Sequence, residues 1–323
     1  MRRFYLGATA ALIAVLSAPA LAQSGYPSKP IRWVVGYPPG GGVDIIARTI
    51  AAPLSANLGQ QVVVENRPGA TGMIAADMVA KSAPDGYTIA SSGNQDLVLN
   101  PLLNSRTAYD PQKDFEPLTL VAKFPLLLVV NGSVPVTSFK DFIAYAKANP
   151  GKINYASFGN GSGNHVGMEI LKRMTGVDMV HVPYKGAAPA LTDLVGGAVQ
   201  AMLLDYGTAV KHIPTGKIRA LAVATNQQLA AMPQVPTIAE LGVEGFDVFF
   251  WQGVVVPAGV PAEIRDRLHR ELLNVMARPD VRARFDELGI LLTSSTPAQL
   301  VELQRRDTAR WGAVIKEMDL RLD

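Results

Sequence analysis

Four times this chain runs an apolar strand into a loop of small residues and then opens a helix. The loops are Tyr37-Pro-Pro-Gly-Gly-Gly-Val-Asp44, Asn66-Arg-Pro-Gly-Ala-Thr-Gly72, Ser157-Phe-Gly-Asn-Gly-Ser-Gly-Asn-His165 and Tyr184-Lys-Gly-Ala-Ala-Pro189. Alternation of strands and helices dictates a parallel sheet with helices on both faces. It also places helix N-termini at the ends of strands. There the first N–H groups have no intrahelical partner, and the dipole leaves partial positive charge. Small residues let a ligand approach those groups without meeting a Cβ. Several such ends around one cleft would make an anion trap.

No loop carries a nucleotide signature. Gly40-Gly41-Gly42 matches neither the phosphate-binding P-loop nor the dinucleotide G-x-G-x-x-G pattern. The competing reading is a tight turn with Asp44 in the first turn of a helix. Three glycines and two prolines exceed what a plain turn needs, so binding is preferred. Asn66 to Gly72 repeats the logic more weakly.

The strands read as Ile31 to Gly36, Gln61 to Glu65, Tyr87 to Ser91, Leu126 to Asn131, Ile153 to Ser157, Met179 to Val182, Ala201 to Asp205 and Ala220 to Ala224. Ile46, Ile50 and Leu54 recur at helical spacing, with Pro53 inside that helix as an expected kink. Further helices are read at Met73 to Ser82, Phe139 to Asn149, Val166 to Thr175 and Pro189 to Val195, with Asp77 and Lys81 paired at i, i+4 on the first of these. Asp247 to Val256 reads as a strand crossing between domains. Ile264, Leu268, Leu272 and Val275 share one face of a later helix, and His269 falls on its charged side, where solvation is expected. Thr296-Pro-Ala-Gln299 forms a capping box before Leu300, Leu303, Trp311, Val314 and Met318.

Arg2-Arg3, the apolar run Leu6 to Leu16 and Ala20-Leu-Ala22 read as an export signal cleaved before Gln23. The apolar run is too short for a bilayer core of ~30 Å. General secretion is preferred to the twin-arginine route. Without Arg2 and Arg3, 28 basic side chains face 27 acidic ones, and the formal charge falls from +3 to +1. Nothing in that balance suggests nucleic acid or a lipid surface. Cysteine is absent, which excludes disulfides and thiolate chemistry. His165, His181, His212 and His269 lack metal-ligand spacing, and no cofactor is expected.

Ser157, Ser162, His165 and Asp205 match the residue types of a serine hydrolase. No serine lies in G-x-S-x-G, which counts against it. The alternative reading is that the serines donate hydrogen bonds, His165 caps or packs at a helix start, and His181 is a hydrogen-bonded core residue. Lys185 is either a ligand-facing cation or a solvated loop lysine.

The run Tyr26-Pro-Ser-Lys-Pro-Ile-Arg-Trp-Val-Val35, followed by Tyr37 to Asp44, resembles the mature start of the Bug-type receptors. These are the periplasmic solute-binding proteins of tripartite tricarboxylate transporters. Val64-Glu-Asn-Arg-Pro-Gly-Ala70, Ala83-Pro-Asp-Gly-Tyr87, Asn149-Pro-Gly-Lys-Ile-Asn-Tyr-Ala-Ser157, His181-Val-Pro-Tyr-Lys-Gly186 and Val235-Pro-Thr237 match the same pattern in order. The resemblance implies two Rossmann-like α/β domains joined by two crossing segments, a periplasmic binding protein type II architecture. The expected division is residues 23–124 with 247–323, and 125–246. It implies a small carboxylate ligand, membrane components of the transporter as partners, a monomer, and no catalysis.

Carried onto this chain, the first-domain site comprises Tyr37, Pro38, Gly40, Gly41 and Asp44, then Ala70 and Thr71, then Ser92 and Asn94, partly through ordered water. The second domain would offer Ser157, Gly159, Ser162, His165, Tyr184, Lys185 and Asp205. Two stretches depart from the family's habit. Leu203-Leu-Asp-Tyr-Gly-Thr208 lacks the usual aromatic before the aspartate, and Ser91-Ser-Gly-Asn-Gln-Asp96 puts an acid near the presumed anion site. Both bear on ligand identity. An exported hydrolase and a receptor signalling to a membrane kinase are the two alternative functions.

Overall fold

The computed structural model describes residues 25–317 and 320–321. The expected export signal and Met318 lie outside the described residues. Strand β1 (Ile31–Val35) leads into helix α1 (Gly42–Leu58), which continues through Pro53, and β2 (Val62–Asn66) into α2 (Met73–Ala80). Strand β3 (Thr88–Gly93) follows, then a helical turn over Gln95–Leu99 and α3 (Asn100–Leu103). The long β4 (Phe115–Asn131) precedes α4 (Phe139–Ala148), β5 (Asn154–Ser157), α5 (Gly163–Thr175), β6 (Val180–Pro183) and α6 (Ala187–Gly196). Then come β7 (Ala201–Asp205), α7 (Tyr206–Ala209), β8 (Ile218–Val223) and β9 (Phe249–Pro257). Helices α8 (Ala262–Met276) and α9 (Pro279–Glu287), strand β10 (Leu291–Leu292) and α10 (Pro297–Glu317) end the chain.

The strands run in the order β2-β1-β3-β9-β4-β7-β5-β6, with β8 and β10 also paired to β4. Each end of this sheet is parallel, as the alternation requires: β1 with β2 and β3, and β5 with β6 and β7. The middle is antiparallel. Residues 115–125 of β4 pair with β9, whereas Leu126 to Asn131 pair with β7 and β8. One strand therefore serves two lobes, and the sheet curls through it.

In the first lobe, α1 lays Ile46, Ile50 and Leu54, each fully buried, on Ile31, Trp33, Val254 and Val256, and Leu268, Leu272 and Val275 of α8 complete that layer. On the other face, Leu300, Trp311 and Ile315 of α10 pack with Val98, Leu103 and Trp251. The C-terminal helices thus return to cover the first sheet. The capping box holds: Gln299 N–H donates to Thr296 Oγ1 at 3.2 Å, and Thr296 N–H donates to Gln299 Oε1 at 2.9 Å. Asp77 and Lys81 pair at 2.6 Å.

One expectation fails here. His269 is half-buried, and its ring Nδ1 lies 2.8 Å from the carbonyl of Leu118. The β4–β9 register slips between Pro117 and Thr119, so Leu118 falls outside the ladder. A residue bulged out of a ladder needs another partner, and the histidine supplies it.

Candidate functional site

In the first lobe, β1 delivers Tyr37, Pro38 and Gly40 to the start of α1. Gly40 has φ +80, which a glycine adopts without a Cβ penalty. Gly41 is the N-cap of α1, with φ −76 and ψ 164, and it offers no side-chain bond to the free N–H groups. Residues Pro38 to Gly42 are exposed. Asp44 is 2% exposed, and its carboxylate braces the loop. It accepts from Gly40 N–H at 2.8 Å, Arg48 Nε at 3.0 Å and Asn66 Nδ2 at 2.8 Å. Burial pushes this carboxyl up, but the bonds from Arg48, Gly40 and Asn66 outweigh it and hold it below the usual carboxylate range. Its charge is thereby answered inside the loop.

The second loop is strained. Gly69, Ala70, Thr71 and Gly72 all have positive φ, of 141°, 46°, 51° and 94°. Left-handed backbone at non-glycine residues costs on the order of 1–3 kcal/mol each and persists only where the surroundings over-determine it. Asn100 does so: Thr71 Oγ1 donates to its Oδ1 at 3.1 Å, and its Nδ2 donates to the Thr71 carbonyl at 3.0 Å. Gly72 then caps α2 without a side-chain bond.

The third strand end brings Ser92 and Asn94, both buried, beside β9. Asn94 Oδ1 accepts from Trp251 N–H at 3.3 Å, while its Nδ2 has no partner among the described residues. Gln95 Nε2 donates to Asn100 Oδ1 at 2.9 Å and reaches across to the Gly161 carbonyl at 3.3 Å. That bond joins the two lobes.

In the second lobe, β5 carries Ser157, fully buried, to a turn with Gly159 at φ +134. Ser162, the N-cap of α5, donates its hydroxyl to the Gly159 carbonyl at 2.7 Å and so leaves the helix end uncapped. His165 Nδ1 accepts from Gly161 N–H at 3.1 Å, a cap at the helix start. Tyr184 follows β6 and donates to Asp193 Oδ2 at 2.6 Å; Lys185 is exposed. Asp205 caps α7, accepting from Thr208 N–H at 2.9 Å, and burial pushes its carboxyl up.

These serines and histidines do not form a hydrolytic triad. Ser157 Oγ lies 2.6 Å from Nε2 of His181, not from His165. The His181 ring is stacked between Tyr155 at 5.0 Å and His165 at 3.9 Å. Burial, then the adjacent His165, push His181 down to about 4, and burial lowers His165 as well. A histidine whose folded pKa lies below its ordinary 6.5 binds its proton more readily in the unfolded chain. Stability is therefore complete above that value and falls as pH drops toward about 4. With partial exposure discounted, the expected loss between pH 7.5 and 4.5 is ~1 kcal/mol from this residue. His181→Gln should flatten that part of a urea-denaturation profile, and an unchanged acid slope would refute the assignment.

The four helices α1, α2, α5 and α6 begin at Gly41, Gly72, Ser162 and Gly186, and none of those N-caps supplies a side-chain bond. Two belong to each lobe. Helices α8 and α9 also start without a side-chain cap, so bare N-termini alone decide nothing. The comparison with known proteins does. Residues 46–320 match the model of the tripartite tricarboxylate transporter family receptor. The chain belongs to that family.

BugT of Bordetella pertussis is 36% identical to this receptor over 308 residues, covering 95% of this chain and 94% of BugT. Rpa4515 of R. palustris, solved with adipate, superposes with a TM-score of 0.82 at 36% identity, over 90% of this chain and 97% of that one. MatC of Rhodopseudomonas palustris, with bound malate, gives 0.79 at 33% identity, over 90% of this chain and all of that one. The fold is that of a two-domain periplasmic binding protein, and the family binds solutes rather than transforming them. The receptor is periplasmic in class, and the hydrolase reading is set aside.

The residue pattern missed two buried amides. Asn164, fully buried in the first turn of α5, donates to the Leu203 carbonyl at 2.6 Å, while its Oδ1 has no partner among the described residues. Gln252 is 3% exposed, and among the described residues neither its Oε1 nor its Nε2 has a hydrogen-bond partner. It shares a sheet face with Val254 and Val256, the face that α1 covers, and pairs with Gly93 at the end of β3. A lone glutamine in the apolar strand Phe-Phe-Trp-Gln-Gly-Val-Val-Val was the available signal.

Proposed function

We propose that this receptor captures a small solute bearing at least one carboxylate between its lobes and delivers it to the membrane components of a tripartite tricarboxylate transporter. The observation that carries this reading is the pairing of uncapped helix ends from both lobes with unpartnered amides at Asn94, Asn164 and Gln252. The adipate and malate held by two relatives support the same ligand class. In this reading residues 23–124 and 247–323 form one domain and 125–246 the other. The export signal ends after Ala22, and the mature protein is a monomer.

Magnitudes constrain how the site works. Micromolar affinity needs about −8 kcal/mol, and one helix N-terminus gives ~0.3–2 kcal/mol. Four such ends fall short. Hydrogen bonds from loop N–H, hydroxyl and amide groups to an ionised carboxylate supply the remainder, directly or through water.

A thermal-shift screen over mono-, di- and tricarboxylates, with adipate and malate among them, tests the reading. A solute at 100 times its dissociation constant adds ~2.7 kcal/mol of stability. No shift with any carboxylate would refute it. Gly41→Val localises the anion. The backbone there is extended, and an added Cβ would meet only the Pro38 carbonyl, at 3.5 Å. The variant should fold normally while its branched side chain obstructs the N-terminus of α1. Calorimetry should then read an affinity loss above tenfold, and unchanged affinity would make this loop merely a turn.

A further inference from the structure

Asp96 touches all three first-lobe loops. Its Oδ2 accepts from Gly93 N–H at 3.3 Å, and its Oδ1 lies 3.4 Å from the Tyr37 hydroxyl. A Cβ on Gly72 would stand 2.0 Å from that same Oδ1, so the carboxyl rests directly on the backbone of the second loop. The residue is 4% exposed. Its own backbone carbonyl accepts from the Tyr109 hydroxyl at 2.6 Å.

The surroundings contain no answering charge. Among the described residues Asp96 takes part in no ion pair. Strand β3, the Ala70–Gly72 turn and α3 carry no titratable side chain. The titratable groups that face it are the Tyr37 and Tyr109 phenols, neutral at ordinary pH. From α10, neutral Gln304 reaches the Leu97 carbonyl, while Asp307 is bonded to Trp251 and paired with Arg310. On α1, the Asp44 charge is met by Arg48. Burial pushes the Asp96 carboxyl up to about 7, despite the bonds from Gly93 and Tyr37 that act the other way.

A second negative charge held by the N–H groups of these loops would stand beside that buried carboxyl, and little water screens the repulsion on the carboxyl's side. We propose that Asp96 retains its proton whenever a carboxylate occupies the first-lobe loops, so that solute capture is proton-coupled and this position selects anionic over cationic end groups. The inference rests on the carboxylate reading above. Its sign follows from linkage. An anion raises the pKa of Asp96, so binding is tightest where the free receptor already holds the proton. Affinity falls as pH rises through neutrality. A solute presenting an ammonium group to this carboxyl would show the opposite slope.

The test is calorimetry with adipate, malate and citrate at pH 6, 7, 8 and 9 on the mature receptor and on Asp96→Asn. From pH 7 upward the carboxyls of all three solutes are essentially ionised, so the slope from pH 7 to pH 9 belongs to the receptor. At least a tenfold loss of affinity from pH 6 to pH 9 is expected in the native protein, with a nearly flat profile in the variant. Binding at pH 6 with equal affinity at pH 9, or parallel slopes in both proteins, overturns the proton coupling and leaves the carboxylate reading standing. Absence of binding by all three solutes at pH 6 removes the carboxylate reading and this inference with it. A second measurement needs no solute and no variant: the carboxyl carbon resonance of Asp96, assigned through its bonds to its own backbone, should titrate near neutrality in the native protein. A midpoint in the ordinary aspartate range, near ~3.9, refutes the proposal even if the variant fails to fold.

Discussion

Gly72→Ala is expected to remove about 3 kcal/mol of folding stability and to abolish measurable dicarboxylate binding. Two costs combine at this position. The backbone has φ +94, where an L-residue with a Cβ pays ~1–2 kcal/mol. The new methyl would also stand 2.0 Å from Asp96 Oδ1 and 3.1 Å from its Cγ, so these carboxyl atoms must move. Displacing them disturbs the first loop through Tyr37 and the third through Gly93. Urea denaturation and calorimetry check the two halves of the expectation. A variant within ~0.5 kcal/mol of native stability that binds adipate normally would show that the strained turn is incidental.

Gln252→Met should move stability and affinity in opposite directions. Burying a donor and an acceptor without partners costs ~1–3 kcal/mol, and both atoms of this amide are in that condition. Methionine has a similar length and adapts to the same space among apolar neighbours. The free variant should therefore gain ~1 kcal/mol. If the amide serves the solute or a water that bridges to it, affinity for adipate or malate should drop at least tenfold, ~1.4 kcal/mol. A variant that loses stability, or that gains it while binding unchanged, would remove Gln252 from the site.

Much of the architecture is visible one residue at a time. All four strand-loop-helix units stand where the small-residue loops placed them, and the C-terminal capping box and the Asp77–Lys81 pair form as read. The crossing strand over Asp247 to Val256 is β9, shifted slightly. Strand β4 was legible only in its last third, because Pro117 and Pro125 look like terminators. In the folded chain the ladder shifts register next to Pro117, and Pro125 falls where the partners change from β9 to β7. Prolines are tolerated at such points.

The site divides in the same way. Loops rich in glycine announce themselves through composition. Whether a polar side chain is satisfied depends on partners far along the chain, and no local pattern encodes that. Asp44 read as a ligand contact and proves to be internally bonded; Asn100 read as nothing and holds Thr71 in a strained conformation. The acid at position 96 stood out as odd, but its contact with three loops is a property of the fold alone.

Strands β4 and β9 lie side by side from Phe115 to Pro125, and β4 continues without interruption into the second lobe. Hydrogen-bonded neighbours in register cannot slide past one another without flipping every side chain to the opposite face. Both strands leave that ladder side by side, at Pro125 and Phe249, on the way to the second lobe, so relative movement of the lobes is a bending and twisting of two neighbouring strands at that point, much as a leaf spring flexes but does not shear. An opening motion of this kind has few degrees of freedom to lose when a solute closes it, which keeps the entropic opposition to capture low.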